Sequence, residues 1–418
     1  MKSVSIIDRK KCFSCRSCVQ ICPKNAIDMQ ENNEGFFYPS VNESKCVECG
    51  LCLKHCPSFE PYEKNDFKKT SYAVWLKDDK KLFESSSGAL FSAAAEKILK
   101  NGGVVFGAAY NADLFVEHIC IEDINELYKL KGSKYVESTT NNTYSKVLSY
   151  LKNGKKILYS GTPCQIAGLK KFLGKDYENL FTMDLICHGV PSERLFHKYL
   201  EWQSGQLGGK IIYCGFRDKD VGGCSCNGKI KPKTKTKTKT KTKTKTKTKT
   251  KTKTKTVLSA LDPYYSSFIR CETYRESCYS CPYSSLERPG DITMGDFTEI
   301  TEIIPGFDFS KGLSLCIIDT EKGLTLFNLI KDSFNIVLLE FSQYISIKSN
   351  LQKPSERPAV RNFVYSGIEE LSAKKFFKRF KEASCFYFIK FYSRKMLSKI
   401  TPSFVKKIVK RIIRGKAK

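Results

Sequence analysis

Eight of the 19 cysteines fall between Cys12 and Cys56, in two runs of identical spacing. The first is Cys12, Cys15, Cys18 and Cys22 followed by Pro23; the second is Cys46, Cys49, Cys52 and Cys56 followed by Pro57. Both read C-x2-C-x2-C-x3-C-P. Two-residue gaps let one tight loop offer three thiolates to three irons of a cubane, with backbone N–H groups free to face the sulfides. The fourth cysteine is expected to open a helix that points away and so to serve the other cluster. Cys12, Cys15, Cys18 and Cys56 are therefore assigned to one [4Fe-4S] cluster, and Cys46, Cys49, Cys52 and Cys22 to a second. Paired C-x2-C runs also make structural zinc sites, but three close cysteines plus C-P, repeated, exceed what zinc needs.

The elements that hold these and other thiols can be read from periodicity. After a polar linker, 60–69, strand and helix alternate: strands over 72–76 and 104–109, with a helix over 88–100 between them. Ser85-Ser86-Ser87-Gly88 precedes that helix, offering a capping hydroxyl and a close backbone approach that could seat phosphates; a serine cap is more often only a cap. A second unit has a strand over 156–160, a short helix over 165–173 and a strand over 180–186, so its two strands should run parallel. Cys164 follows the first strand and Cys187 the second, at the carboxyl edge where open parallel sheets bind ligands. Cys278 and Cys281 add two thiols at chelate spacing. By spacing alone the four suit a third cluster, while Cys164 could equally be a low-pKa redox thiol, and Cys278 with Cys281 a zinc half-site or neither. Cys120, Cys214, Cys224, Cys226, Cys271, Cys316 and Cys385 read as ordinary thiols, and His188 as a structural hydrogen-bonding group.

Length, 418 residues, predicts two or three domains. Met1-Lys2 runs straight into a strand-like Val4–Ile7 with nothing resembling a signal peptide, which with clustered cysteines predicts a cytoplasmic protein. The formal charge of +28 sits almost wholly in two segments. Twelve Lys-Thr dipeptides, 233–256, contribute +12; residues 374–418 carry sixteen Lys or Arg against the acid Glu382. The body is close to neutral, with no basic, aromatic-interleaved stripe to suit nucleic acid. The repeat has nothing apolar to bury and a charge at every second position, so it is expected to be a disordered insert. Residues 371–418 form a basic tail. After Thr401-Pro402, Phe404, Val405, Ile408, Val409, Ile412 and Ile413 share one helical face, with lysines and arginines opposite. That pattern fits peripheral contact with the inner face of a membrane, and equally a helix docked on its own domain or a partner. No apolar run is long enough to span a bilayer.

Residues 1 to about 60 resemble the bacterial dicluster ferredoxins, with a longer insert from Asn32 to Ser44. The blocks Ser85–Gly88, Lys131–Val136, Tyr159–Gln165, Asp184–Pro191, Phe216–Lys219, Cys278–Cys281 and Gly290–Thr293, in this order, resemble the coenzyme F420 hydrogenase/dehydrogenase beta-subunit family in its form with a fused N-terminal 2[4Fe-4S] ferredoxin domain. The resemblance implies a mixed α+β and α/β chain: a dicluster ferredoxin fold (1–60), then a strand-helix flavin and iron-sulfur domain in two parts (70–150 and 151–335), the second interrupted by the Lys-Thr insert, then the tail. It implies FAD, at Ser86, Ser87, Gly88, Lys131, Gly132, Ser133, Lys134, Gly161 and Thr162, and strengthens a third [4Fe-4S] cluster on Cys164, Cys187, Cys278 and Cys281. No catalytic residue is assigned. The implied function is an iron-sulfur flavoprotein oxidoreductase passing electrons between clusters and a two-electron acceptor, coenzyme F420 or another hydride carrier, with a redox partner protein. The other reading is an electron-transfer or adaptor subunit of a larger complex or a surface-glycan pathway, without catalysis of its own. The chain departs from the family pattern at Ala89, where a second glycine is usual, at Thr298-Glu299, and in the Lys-Thr repeat, read either as an exposed insert or as an expansion that has overwritten a strand pair.

Overall fold

The computed structural model describes residues 2–60, 67–221, 227–233, 254–259, 261–297, 304–345 and 349–380. Val4–Ile6 is a 3-10 turn and not the strand its apolar residues suggest, because the Ser3 hydroxyl accepts from the Ser5 N–H at 3.4 Å and closes it. Two short helices follow, α1 (Ser17–Ile21) and α2 (Leu51–Lys54), each entered through a left-handed residue, Arg16 at φ 61° and Gly50 at φ 74°. The fourth cysteines do not open helices: Cys22 and Cys56 come after them, and Cys18 and Cys52 lie inside. The reason is local, since a residue before proline is driven out of the α region, and Cys22 stands extended at ψ 110°.

The insert is built. Its strand β2 (Phe37–Val41) pairs antiparallel with β1 (Ile27–Glu31), which precedes it. Phe36 and Tyr38 leave the ferredoxin region and enter the same core as Leu195, Phe196 and Tyr365. The Glu34 carboxylate meets buried Arg361 through two oxygens, one at 2.7 Å.

Behind this lies a large sheet. Its members in chain order are β3 (Thr70–Leu76), β4 (Val104–Tyr110), β5 (Val116–Ile121), β6 (Ile157–Gly161) and β7 (Leu180–Leu185). A second sheet follows, β8 (Ile211–Gly215), β9 (Gly228–Pro232) and β10 (Lys255–Val257), before β11 (Ile292–Asp296), β12 (Ser314–Ile318) and β13 (Phe334–Leu339) complete the first. The eight-stranded order is β13-β3-β12-β11-β7-β6-β4-β5. The centre, β4, β6, β7 and β11, is parallel, and the flanks are antiparallel. Alternate residues serve opposite faces. Val105, Leu158, Met183 and Ile292 meet Ala94, Ala95 and Ile98, while Phe106, Ile157 and Tyr159 meet Tyr144, Val147 and Ile166. Burial on both faces explains why these strands are mostly apolar.

The helices, continuing the numbering, are α3 (Asp79–Phe83), α4 (Leu90–Lys100), α5 (Thr143–Lys152), α6 (Pro163–Leu173), α7 (Glu193–Leu207), α8 (Pro263–Ile269), α9 (Glu321–Asn328), α10 (Phe341–Ile345) and α11 (Arg361–Tyr365). α4 does not take a serine cap: its cap position is Ala89, left-handed at φ 71°. Parts of both polar segments are packed on the body. The end of the Lys-Thr repeat is ordered in β10, where Lys255 pairs opposite Ile230, its ammonium meets Gln203 at 2.8 Å, and buried Val257 anchors the strand. The start of the basic tail is docked: residues 373–380 are helical, and Phe376, Phe377 and Phe380 are buried, with Phe377 stacked on Trp202. The body of the repeat, Thr298-Glu299, Cys224, Cys226, Cys385 and the amphipathic run after Thr401 lie outside the described residues.

Candidate iron-sulfur and cofactor site

Two cavities in the N-terminal region sort the eight cysteines. One is lined by Cys12, Cys15, Cys18 and Cys56. The other is lined by Cys22, Cys46, Cys49 and Cys52. Each set mixes three cysteines of one run with the fourth of the other. The helices cross to do this, and the Ser17 hydroxyl holds them by donating to the His55 carbonyl at 2.9 Å. Left-handed Ser14 and Glu48, at φ 58° and 52°, bend the loops further. Backbone N–H groups point at sulfur, Ala26 at Cys22 (3.3 Å) and Ser14 at Cys12 (3.5 Å). Among the described residues, no three His, Cys, Asp or Glu side chains gather as ligands of one metal ion. In a cubane each iron takes its own thiolate, so the ligands stand apart by the width of the cluster, whereas one zinc draws four ligands tightly together. The donor sets fit cubanes. Burial raises the Cys15, Cys18 and Cys12 thiols, so iron must displace their protons on binding.

The first cavity abuts the large sheet. α1 packs on α6, and a side chain at Gly168 would stand 2.8 Å from the Cys15 Cβ, so only glycine lets the loop this close. The Thr140 hydroxyl donates to the Cys15 carbonyl at 2.9 Å, and His55 bonds the Lys171 carbonyl of α6. One turn before Gly168, Cys164 sits in the first turn of α6, beyond the end of β6. Cys187 lies beyond the parallel strand β7, and Cys278 and Cys281 lie in and after the turn Glu276–Ser280. These four are close enough to raise one another's pKa: Cys164 is affected by Cys281 and Cys187, and Cys278 by Cys187, Cys281 and Cys164. Desolvation is the larger cause for each, and it carries Cys187 to about 12. Burial raises the Cys164 thiol despite its place at the helix N-terminus. Tyr283 is packed on Phe13, its ring centroid 5.6 Å away, and senses Cys164, Cys15, Cys281 and Cys56 alike. It stands between the two groups of thiols.

Buried Arg275, missed in the sequence, lies there too. Both Glu137 oxygens take its Nη2, at 2.6 and 2.7 Å, the Phe37 carbonyl takes Nη1 at 3.2 Å, and its charge lowers both Cys12 and Cys164 against the stronger pull of burial. Its Nε has no oxygen or nitrogen partner.

The residues carried for FAD are spread along the carboxyl edge of the sheet. Ser86 accepts from the Ser133 N–H at 3.1 Å, bringing two blocks together. Ser87 donates to the Leu313 carbonyl at 2.7 Å, and the Gly88 N–H donates to Ser314 at 2.9 Å. Gly161 ends β6, and the Thr162 N–H donates to Gln165 at 2.9 Å. Gly132 takes φ 85°. Two lysines point elsewhere. Lys131 reaches Glu84 at 3.2 Å, and half-buried Lys134 donates to the carbonyls of Lys129, Leu130 and Lys131, its pKa lowered to about 7 by desolvation. Lys219, from the Phe216–Lys219 block, grips the Leu82, Ser87 and Lys311 carbonyls and so fixes the serine loop; Arg217 pairs with Asp296. The Phe216–Lys219 block was visible as a motif, but nothing in it told which carbonyls it would hold.

Residues 154–343 match the family described as the C terminus of the coenzyme F420 hydrogenase/dehydrogenase beta subunit, and residues 11–59 match the 4Fe-4S dicluster domain. No curated protein matches the chain. Among solved structures, a chain of the F420-reducing [NiFe] hydrogenase complex from Methanosarcina barkeri is similar at 15% identity, over 78% of this chain and 93% of that one, with a TM-score of 0.43.

Proposed function

We propose that this chain, which joins a 4Fe-4S dicluster domain to the C-terminal region of a coenzyme F420 hydrogenase/dehydrogenase beta subunit, is an iron-sulfur flavoprotein oxidoreductase. In this reading Cys164, Cys187, Cys278 and Cys281 hold a third [4Fe-4S] cluster, and FAD lies along the carboxyl edge near Ser86–Gly88, Ser133 and Gly161-Thr162. The observation that carries it is the contact of the Cys15 loop with Gly168 on the helix that bears Cys164. A relay needs its stations close, and this contact brings the inner dicluster site against the second set of thiols. FAD supplies the conversion between one-electron and two-electron transfer. The protein's part is to hold the groups close, to keep water out with Tyr283 and Phe13, and to supply a buried cation, Arg275, beside both thiol groups. The acceptor is a hydride carrier of the coenzyme F420 type. A cytoplasmic setting suits thiols that are free throughout the described residues.

Anaerobic purification tests this reading. The expected preparation holds about twelve irons and one FAD per chain, and its flavin is bleached by a reduced deazaflavin or nicotinamide. Intact clusters without flavin would instead make the chain an adaptor subunit. Loss of a third of the iron in Cys281→Ala, with the dicluster signal kept, is the expected mark of the third cluster.

A further inference from the structure

The two cysteine cavities of the dicluster region face different ways. That of Cys12, Cys15, Cys18 and Cys56 turns toward the body, against Gly168 and near Tyr283. The other turns to solvent: Cys49 is exposed, and beside it Val47 and Leu51 stand 58% and 36% exposed. The charged residues lining that cavity are Lys2 and Lys24, with no carboxylate. Exposed Lys45, next to Cys46, and exposed Lys54, at the end of α2, add two cations, against the exposed acids Glu43 and Glu48.

We propose that this face receives a small one-electron carrier protein whose redox group is ringed by carboxylates, and that electrons pass between that carrier and the cluster of Cys22, Cys46, Cys49 and Cys52. The proposal rests on the reading that these cysteines hold a cluster. One electron leaves the carrier and one arrives at the cluster; no bond forms or breaks and no proton moves. A small apolar centre allows close approach while a lysine rim steers an acidic partner, the arrangement that favours fast, transient encounters over tight binding. The exposed cysteine at its centre favours a redox partner over an anionic membrane, because a lipid surface has no use for proximity to a cluster. The order of stations follows: outer cluster, inner cluster, then the thiols around Cys164.

The test uses the full chain, reconstituted with iron and sulfide, and follows its reduction by an acidic [2Fe-2S] ferredoxin in a stopped-flow spectrometer. Combined Lys45→Glu and Lys54→Glu, at exposed positions outside the cavity lining, is expected to slow that reduction about tenfold at low salt, and raising the salt should slow the unmodified protein similarly. Lys45→Gln with Lys54→Gln should fall between. Reduction by a small photochemical donor, iron content and the paramagnetic signal should be unchanged in all of them. Full clusters with equal ferredoxin rates and no salt dependence would overturn the docking site while leaving the cluster reading intact. Equal rates combined with lost co-sedimentation on phosphatidylserine vesicles would overturn it in favour of a membrane contact. A chain holding no iron after reconstitution would overturn the cluster reading, and the docking site with it.

Discussion

Arg275 carries a full positive charge into a nearly dry place, and Glu137 meets it there. Removing one partner of a buried pair leaves the other uncompensated, typically at a cost of about 3–5 kcal/mol. Arg275→Gln should lower stability by that order in chemical denaturation. Because a reduced cluster is more negative than an oxidised one, the same change should lower the midpoint potential of the inner cluster in a paramagnetic redox titration, whereas Arg275→Lys should largely preserve it. Cys56 gives a sharper test of crossed ligation. Cys56→Ala is expected to abolish the signal of the cluster on Cys12, Cys15 and Cys18 and to spare that of the run in which Cys56 itself stands. His118 is buried between Ser138 (2.8 Å) and the Ser160 carbonyl (3.0 Å). A carbonyl only accepts, so Nε2 carries the proton and Nδ1 accepts from the serine. Desolvation lowers its pKa from 6.5 to about 4. The fold therefore favours the neutral ring: its contribution is complete above pH 6.5 and falls away between 6.5 and 4, by up to about 3 kcal/mol. Melting curves across that window should be flatter for His118→Gln.

At the level of elements, neighbouring residues before α4 should respond oppositely to exchange of glycine and alanine. Ala89 is left-handed at φ 71°, which costs an L-residue about 1–2 kcal/mol. Ala89→Gly relieves this at the expense of one buried methyl, so a small rise in melting temperature is expected. Gly88 is in the reverse position: a Cβ there would stand 2.2 Å from the Val74 carbonyl oxygen and 2.6 Å from the Ser314 nitrogen. Gly88→Ala should lower the melting temperature and disturb the whole serine loop, as neither backbone group can move without breaking the β3 and β12 edge. β3, β4, β6 and β7 were legible because each is a short, mostly apolar run. The short helices of the cysteine region were not, since a single left-handed residue starts each one and a proline stops the first.

Across the whole molecule, the N-terminal region depends on its neighbours and its metal. Its own core is small, Val4, Cys18, Ile27, Cys52 and Leu53, and two of the five are thiols that the clusters would claim. Metal binding is then part of folding. Anaerobic chelation of iron should strip hydrogen-exchange protection from the loops over 12–22 and 46–56 first. The hairpin β1 and β2 should stay protected, since Phe36 and Tyr38 belong to the core of the body. The large sheet should be unaffected. It is bolted by its own buried pair, Arg288 and Asp184 at 2.7 Å, with Thr293 bridging Asp184 (3.0 Å) and Asp319 (2.8 Å). The hydroxyl can donate to only one carboxylate at a time; burial raises the Asp319 pKa to about 7, while Lys69, 2.7 Å from Asp319, pulls it down. Among the described residues no helix is long and apolar enough to cross a membrane.

Spacing alone determined that eight cysteines act in two groups of four, because the reach of a tight loop is set by the number of residues between ligands, a purely local quantity. The parallel β6 and β7, with Cys164 and Cys187 beyond their ends, were likewise determined by apolar runs and the helix between them. What only the tertiary structure decided are meetings between distant segments. Arg275 finds Glu137 138 positions away, Arg361 finds Glu34, and Lys219 finds Leu82, Ser87 and Lys311. A long polar side chain carries no mark of its partner, since its place in sequence says only that it will need one if buried. Which cysteine group faces water and which faces α6 was decided the same way, by Gly168 admitting Cys15 where any other side chain would have held it off.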